Sequence, residues 1–192
     1  YTPNLDRFFH EGAYLKNAFV VTPVCSPSRA SLMTSRYGTE VGITDWINPT
    51  VEPELGLSSK VMIWPKLLAQ SGYYTGLIGK WHLGTQDHFH PSQFGFNYFM
   101  GFREGGIATK DPKLEVGGQP KQTQGFTVDV VTDDAVSFLR NHQCLRVLRV
   151  HICNFQHFLT VRIVLIPARE LPGLFADLRD CLAKPSAFSG TI

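Results

Sequence analysis

The stretch at residues 61–84 decides the fold, and it reads VMIWPKLLAQSGYYTGLIGKWHLG. Residues 61–71 have the apolar spacing of a helix, which Gly72 ends. Residues 73–78 are rich in strand-forming types and predict a strand that ends near Lys80. A helix followed directly by such a strand is typical of an α/β layer fold.

The first part of the chain continues this alternation of helices and strands. Residues 3–11 and 28–37 predict helices, and residues 14–21 predict a strand. Thr132 is predicted to be the N-cap of an amphipathic helix that extends to His142. Because ligands of α/β folds bind beyond the carboxyl ends of strands, we expect the functional site there.

Length and composition limit the classes of protein to which the chain can belong. It has 192 residues, of which 43% are hydrophobic and 18% charged, and this indicates one folded domain. The net charge of +2 argues against a nucleic-acid-binding surface, and the longest apolar runs are too short to span a membrane. The chain begins at Tyr1 without a leader, so we expect a fragment that lacks any signal region.

The composition changes near residue 143. All Trp and Tyr residues lie before residue 99, whereas three of the four cysteines follow residue 143. Two interpretations stay open: a buried strand pair at residues 145–150 and 159–166, or a segment that is not native coding sequence, such as a shifted reading frame. The predicted division is therefore residues 1–143 as one unit and residues 144–192 as an unassigned tail.

The first chemical motif is Cys25-Ser-Pro-Ser-Arg29, which lies at the predicted start of a helix. Free backbone N–H groups and the helix dipole favour an anion at such a position. Arg29 lies one turn further on and adds a fixed positive charge near Cys25. The alternative is a half-buried cysteine followed by an ordinary surface arginine.

The second motif is Gly79-Lys80-Trp81-His82, at the end of the predicted strand. Residues two apart on a strand point the same way, so Lys80 and His82 are predicted to reach one pocket. The ammonium group can bind an oxyanion, and the imidazole can transfer a proton near neutral pH. A phosphate-binding loop is excluded because Trp81 stands where that motif needs Ser or Thr.

Both motifs resemble the signatures of the type I, formylglycine-dependent sulfatases, and the bacterial arylsulfatase-like enzymes in particular. Ser35 is the one departure in the first signature, where the family usually has Gly. The second signature resembles Gly-Tyr-x-Thr-x-x-Ile-Gly-Lys-Trp-His, and the resemblance extends from residue 1 to about residue 143. The residues that match the first signature are Cys25, Pro27, Ser28, Arg29, Leu32, Thr34 and Arg36.

The resemblance implies a partial alkaline phosphatase-like α/β fold with a central, mostly parallel sheet and flanking helices. It implies a hydrolase that cleaves a sulfate ester to an alcohol or phenol plus sulfate. Cys25 would be oxidised to formylglycine, which is both the nucleophile and a ligand of a divalent cation, usually Ca²⁺. Arg29 would hold the formylglycine hydroxyl, Lys80 the sulfate oxygens, and His82 would take the proton that allows sulfate to leave.

The resemblance also implies partners and a location. The partners are a small-molecule or glycan sulfate ester and the formylglycine-generating enzyme, and the location is periplasmic or secreted, or lysosomal in a eukaryote. The family's paired aspartate ligands precede its cysteine motif, so we expect this chain alone to lack the metal site and to be inactive. Other interpretations are a formylglycine phosphonate or phosphate monoester hydrolase, an inactive truncated relative, and a thiol-dependent α/β protein.

Two further groups of polar residues have ordinary explanations. His88 and His90 are two residues apart, but no acidic or cysteine partner has ligand spacing, so we interpret them as part of a loop over the pocket. Asp133 and Asp134 lie at the predicted start of a helix, where carboxylates are favoured, so we interpret them as capping residues.

Overall fold

The computed structural model describes residues 2–12, 17–142, 147–155 and 158–164. These residues form four α-helices, three short 3₁₀ turns and six strands. The helices are α1 (Pro3–Glu11), α2 (Cys25–Thr34), α3 (Trp64–Gln70) and α4 (Thr127–Asn141). The strands are β1 (Tyr74–Lys80), β2 (Tyr98–Phe102), β3 (Lys113–Val116), β4 (Gln119–Gln122), β5 (Val147–Phe155) and β6 (Phe158–Val164).

The six strands form one sheet in the order β4-β3-β2-β1-β5-β6. Strand β1 lies at its centre and pairs in parallel with β2 on one side and with β5 on the other. The outer strands continue as antiparallel hairpins, β2-β3-β4 and β5-β6. The predicted α/β class is confirmed. The expected mostly parallel sheet is instead mixed among the described strands, with two parallel pairings at the centre and three antiparallel pairings outside them, because the connections to the outer strands are too short for a parallel crossover.

Each face of the sheet is covered by its own apolar cluster. Leu77 of β1 packs on one face with residues from α2, from the loop before α3 and from the segment after β1. Ile78 points to the other face and packs with Ala135 and Phe138 of α4. Neighbouring side chains of a strand point to opposite faces, so the apolar run of β1 is buried on both sides, as in a central parallel strand.

The helix limits differ from the predicted ones, for identifiable reasons. Helix α2 starts at Cys25, three residues before the predicted start. Helix α3 starts only at Trp64, because Pro65 suits the first turn of a helix. Helix α4 starts at Thr127, so Thr132 lies inside it and donates its hydroxyl to the Val128 carbonyl, 2.6 Å away. The predicted N-cap role of Thr132 is therefore wrong.

Two other predicted elements have different outcomes. The predicted helix at residues 3–11 is confirmed by α1. Of the predicted strand at residues 14–21, the part up to residue 16 lies outside the described residues. Residues 17–21 form a turn followed by chain without strand pairing.

The region after residue 143 contributes the last two strands. Strand β5 pairs with β1 from Tyr74↔Val147 to Gly79↔Ile152, and β6 returns antiparallel to β5. This pairing agrees with the interpretation of the region as a strand pair. Residues 165–166 of the predicted second strand lie outside the described residues.

Candidate active site

Cys25 is the first residue of α2. Val24 before it has extended backbone (φ −82°, ψ 136°), and the Val24 carbonyl accepts a hydrogen bond from the Ser28 N–H at 3.0 Å. The thiol is free and partly exposed. The positive end of the helix dipole therefore lies at Cys25, which favours negative charge there.

Arg29, one turn after Cys25 in α2, is buried rather than exposed at the surface. Only 3% of the residue is accessible to solvent, and its guanidinium donates a hydrogen bond to the Lys80 backbone carbonyl over 2.8 Å. Burial lowers the pKa of Arg29 to about 10, and the nearby Cys25 charge opposes that shift. Arg29 therefore stays positively charged at neutral pH, and the surface-arginine alternative is wrong.

Lys80 is the last residue of β1 and is also buried. Its ammonium donates a hydrogen bond to the Gly105 carbonyl over 2.5 Å. Burial is the main cause that lowers the pKa of Lys80, and the Arg29 charge lowers it further, whereas the charge of Cys25 and a hydrogen bond to it raise it. Lys80 and Arg29 are thus two cations that both interact with Cys25.

His82 is held in a fully buried position after β1. Its backbone adopts a left-handed conformation (φ 55°), which is uncommon outside glycine. The ring Nε2 lies 3.0 Å from the Ile47 carbonyl, and Nδ1 has no hydrogen-bond partner among the described residues. Since a carbonyl can only accept, Nε2 carries the proton and Nδ1 is left as an acceptor.

The electrostatic surroundings keep the His82 ring neutral. Burial lowers its pKa to about 4, the Ile47 hydrogen bond raises it, and the charges of Lys80 and Arg29 lower it further. At neutral pH the buried Nδ1 is therefore an unprotonated base that has no hydrogen-bond partner within the described part of the chain. Such an atom is available to accept a proton.

The structure brings Lys80 and His82 together, but not through strand alternation. Strand β1 ends at Lys80, and the left-handed backbone of His82 breaks the period of two. Instead, both side chains meet at Gly105, whose carbonyl accepts from the Lys80 ammonium and where an added Cβ would lie 2.8 Å from His82 Nε2.

Three residues of the site were missed by sequence reasoning. Ser26 accepts the Ile47 N–H at its hydroxyl oxygen over 3.0 Å, and the Ile47 carbonyl contacts His82, so Ile47 joins the start of α2 to the imidazole. Gly105 is the third. The contacts of Ile47 and Gly105 are made by backbone groups, which have no signature in side-chain patterns.

His88 and His90, which we interpret from the sequence as part of a loop over the pocket, each lie near a glutamate. Its Nε2 lies 2.7 Å from Glu115 Oε1, and Glu115 Oε2 lies 2.9 Å from Arg103 Nε. His90 therefore lies beside Glu115 of β3, the carboxylate that also pairs with Arg103. His88 lies on the surface, with Nε2 3.8 Å from Glu54 Oε2.

The predicted capping role of the two aspartates is wrong. Both lie in the interior of α4, where neither can cap the start of a helix. Asp134 accepts a hydrogen bond from the Tyr98 hydroxyl at 2.9 Å, which ties α4 to β2. Burial raises the pKa of Asp134, and the Tyr98 hydrogen bond opposes that rise.

Within the described part of the chain, no three His, Cys, Asp or Glu side chains form a group that could hold a metal ion. A divalent cation therefore does not fit the residues present here without further ligands. None of the described helices is long and apolar enough to cross a membrane.

A protein-family model matches most of the chain. The model described as Sulfatase matches residues 1–151, and the chain belongs to the sulfatase family. The match continues past the predicted end of the resemblance near residue 143 and ends within β5.

Individual relatives agree with this assignment. Human steryl-sulfatase is 41% identical over 110 residues, which is 52% of this chain and 19% of that protein. The N-acetylglucosamine-6-O-sulfatase of Bacteroides thetaiotaomicron is 35% identical over 141 residues, which is 73% of this chain and 23% of that protein. The chain thus spans about a fifth of the length of these relatives.

A solved structure shares the fold. The structure of Ps i-CgsB in complex with k-i-k-neocarrahexaose superposes with a TM-score of 0.70 at 28% identity, over 81% of this chain and 37% of that one. The sulfatase fold predicted from the two motifs is thereby confirmed.

Proposed function

We propose that the protein that carries this chain hydrolyses a sulfate ester to an alcohol or phenol plus sulfate, with Cys25, Arg29, Lys80 and His82 as its catalytic residues. The observation that carries the proposal is the pair of buried cations at Cys25. Arg29 and Lys80 are 3% and 6% exposed, and both interact with the side chain at position 25. Buried positive charge of this kind stabilises an anionic ester and the negative charge that develops during transfer.

Each residue has a role that its contacts support. Arg29 is fixed by the Lys80 carbonyl, so its charge is held at the start of α2. The Lys80 ammonium donates one N–H to the Gly105 carbonyl, and its remaining N–H groups can donate to sulfate oxygens. His82 is neutral, and none of the described residues bonds to its Nδ1, so it can accept the hydroxyl proton whose removal allows sulfate to leave.

The proposed cofactors are a formylglycine at position 25 and a divalent cation, with Ca²⁺ as the expected ion. Formylglycine supplies a hydrated aldehyde, whose paired hydroxyls provide a nucleophile and then a means of releasing sulfate. Residue 25 would be one metal ligand in that form. The remaining ligands would lie outside the described residues, because these contain no suitable group.

The names of two relatives support a proposal for the substrate class. One relative is named for N-acetylglucosamine 6-O-sulfate and one solved relative is bound to its substrate D-glucosamine-2-N,6-O-disulfate, at 32% identity. We propose a glycan or small-molecule sulfate as the substrate and the formylglycine-generating enzyme as a partner. A periplasmic, secreted or lysosomal location is part of the same proposal.

The domain division is likewise proposed. Residues 1–143 would be the N-terminal part of the sulfatase catalytic domain, since both motifs and their contacts lie there. Residues 144–192 are left as an unassigned tail, although the family match extends to residue 151 and β5 pairs with β1.

The test begins with the chemistry of Cys25. The chain is produced with a formylglycine-generating enzyme, and the tryptic peptide of residues 17–29 is measured by mass spectrometry. We expect a mass lower by about 18 Da than that of the thiol peptide, from replacement of the thiol by an aldehyde. The matched control is Pro27→Ala, which breaks the motif and should keep the thiol.

Activity is then measured on the protein that carries the chain, with an aryl sulfate and the matching aryl phosphate. Faster hydrolysis of the sulfate, lost in Cys25→Ala, supports the proposal. A peptide that keeps its thiol, or faster hydrolysis of the phosphate, contradicts it.

A further inference from the structure

Gly105 lies in a loop that follows β2, where its carbonyl binds the Lys80 ammonium and an added side chain would press on the His82 ring. We propose that Gly105 is a positioning residue of the active site: its carbonyl holds the Lys80 ammonium, and its lack of a side chain leaves the space that the His82 ring fills. The catalytic part of this inference rests on the proposed function, but the two contacts of Gly105 can be tested without an activity assay.

The contact with Lys80 fixes the direction of the ammonium. The Gly105 carbonyl accepts from Nζ at 2.5 Å, and Lys80 is buried, so few other partners compete for that proton. Hydrogen bonds from charged donors are the stronger kind, and they hold a side chain that has four rotatable bonds. A shift of the residue 105 backbone would therefore move the ammonium.

The contact with His82 is steric. A Cβ added to Gly105 would lie 2.8 Å from His82 Nε2 and 2.9 Å from Cε1, closer than side-chain atoms tolerate. The ring has little room to retreat, since it is 1% exposed and its Nε2–H is bonded to the Ile47 carbonyl. An alanine at position 105 would therefore push on the atom that donates this hydrogen bond.

The neighbouring residue offers a matched control. A Cβ added to Gly106 would have no atom within 4 Å. Neither glycine has a backbone φ in the left-handed region, so alanine fits the local backbone at both positions. The two Gly→Ala variants thus differ in their contacts with the site and share the same chemical change.

The first experiment is nuclear magnetic resonance of the whole chain with ¹⁵N-labelled histidine. The wild type and Gly106→Ala should show His82 as the Nε2–H tautomer, with a slowly exchanging Nε2 proton. Gly105→Ala should lose the slow exchange of that proton. A His82 signal in Gly105→Ala that matches Gly106→Ala would overturn the proposal.

A double-mutant cycle keeps the test decisive if Gly105→Ala is poorly folded. Thermal unfolding is compared for Gly105→Ala, His82→Ala and the double variant. If the methyl group acts on the ring, removal of the ring makes room for it, and Gly105→Ala should lower the melting temperature far less in the His82→Ala background. An equal decrease in both backgrounds would contradict the steric role.

The effect of Gly105 on catalysis is tested by measuring kcat and KM for an aryl sulfate in the protein that carries the chain. Gly105→Ala should lower kcat by about tenfold to a hundredfold with a smaller change in KM, and Gly106→Ala should match the wild type. If no variant hydrolyses the sulfate, the proposed function fails, while the resonance and unfolding results still decide the role of Gly105.

Discussion

The guanidinium of Arg29 donates a hydrogen bond to the backbone carbonyl of Lys80 over 2.8 Å, between residues 51 positions apart. This bond joins the start of α2 to the end of β1, and so it joins the two signature motifs. Since Arg29 is buried, the bond is not exchanged with water. The same arginine therefore supplies charge at Cys25 and fixes the position of Lys80.

This bond predicts a large loss of stability when Arg29 is replaced. Arg29→Ala leaves the buried Lys80 carbonyl without its donor, and hydrogen bonds to charged groups contribute roughly 1.5–3 kcal/mol. Urea unfolding should show a loss of that order. Arg36→Ala removes an exposed arginine just after the same helix and should change stability by less than about 0.5 kcal/mol. Equal losses in the two variants would contradict a structural role for the Arg29 bond.

Ser35 predicts a stabilising substitution. It caps α2 in the left-handed conformation (φ 57°, ψ 29°), which explains why the family usually has Gly at this position. Because that conformation costs a non-glycine residue about 1–2 kcal/mol, Ser35→Gly should raise the free energy of unfolding by roughly 1 kcal/mol.

The control for Ser35 is the same substitution at the end of α3. Ser71 caps that helix at φ −86°, where glycine has no conformational advantage, and its hydroxyl donates to the Leu67 carbonyl. Ser71→Gly should therefore lower the melting temperature while Ser35→Gly raises it. A decrease in both variants would show that the left-handed cap is not the cause.

His82 predicts a decrease in stability in mild acid. Its pKa is about 4 in the folded protein and 6.5 in an unfolded chain, so the unfolded chain binds more protons between these values. The contribution is fully present above pH 6.5 and is lost as the pH falls toward 4, by on the order of 1–3 kcal/mol.

The measurement is urea unfolding at several pH values between 4 and 7. His82→Asn should flatten the dependence in that window. His10→Gln removes an exposed histidine of α1 and should leave the wild-type slope unchanged. A wild-type free energy of unfolding that stays constant from pH 7 to 4 would argue against the buried, neutral imidazole.

Lys80→Ala and His82→Ala should impair turnover in different ways in the protein that carries the chain. Loss of the Lys80 charge should lower kcat by on the order of 10²–10³. Loss of His82 should slow the release of sulfate more than the release of the alcohol, so the first turnover should give a burst of alcohol. Near wild-type turnover in both variants would remove these residues from the mechanism.

Hydrogen exchange can test whether β5 and β6 belong to the folded sheet. If β5 and β6 complete the sheet beside β1, amides in residues 147–155 and 158–164 should exchange as slowly as those of β1 in a monomer. The proposed domain boundary at residue 143 instead predicts fast exchange there and a poorly soluble chain, because the edge of β1 would be open. Slow exchange would move the boundary past β6.

The fold class and the family of this protein could be predicted from the sequence alone, because both depend on local sequence patterns. The α/β class and the course of β1 followed from short motifs, because strand propensity and helix-ending glycines act over a few positions. The same motifs contain the four residues proposed for the site. The family resemblance rested on the same local patterns, and the family match agrees with it.

Tertiary structure alone decided how the site residues meet. Arg29 is buried in the folded chain, where its guanidinium reaches the Lys80 carbonyl at the end of β1. The pKa of His82 is lowered by burial and by the charges of Lys80 and Arg29, against the Ile47 hydrogen bond, which raises it. The Ile47 carbonyl that contacts His82 and the Gly105 carbonyl that binds Lys80 are backbone groups from distant loops, which every residue type carries alike. Such contacts have no signature in the order of side chains, and so only the folded chain could show them.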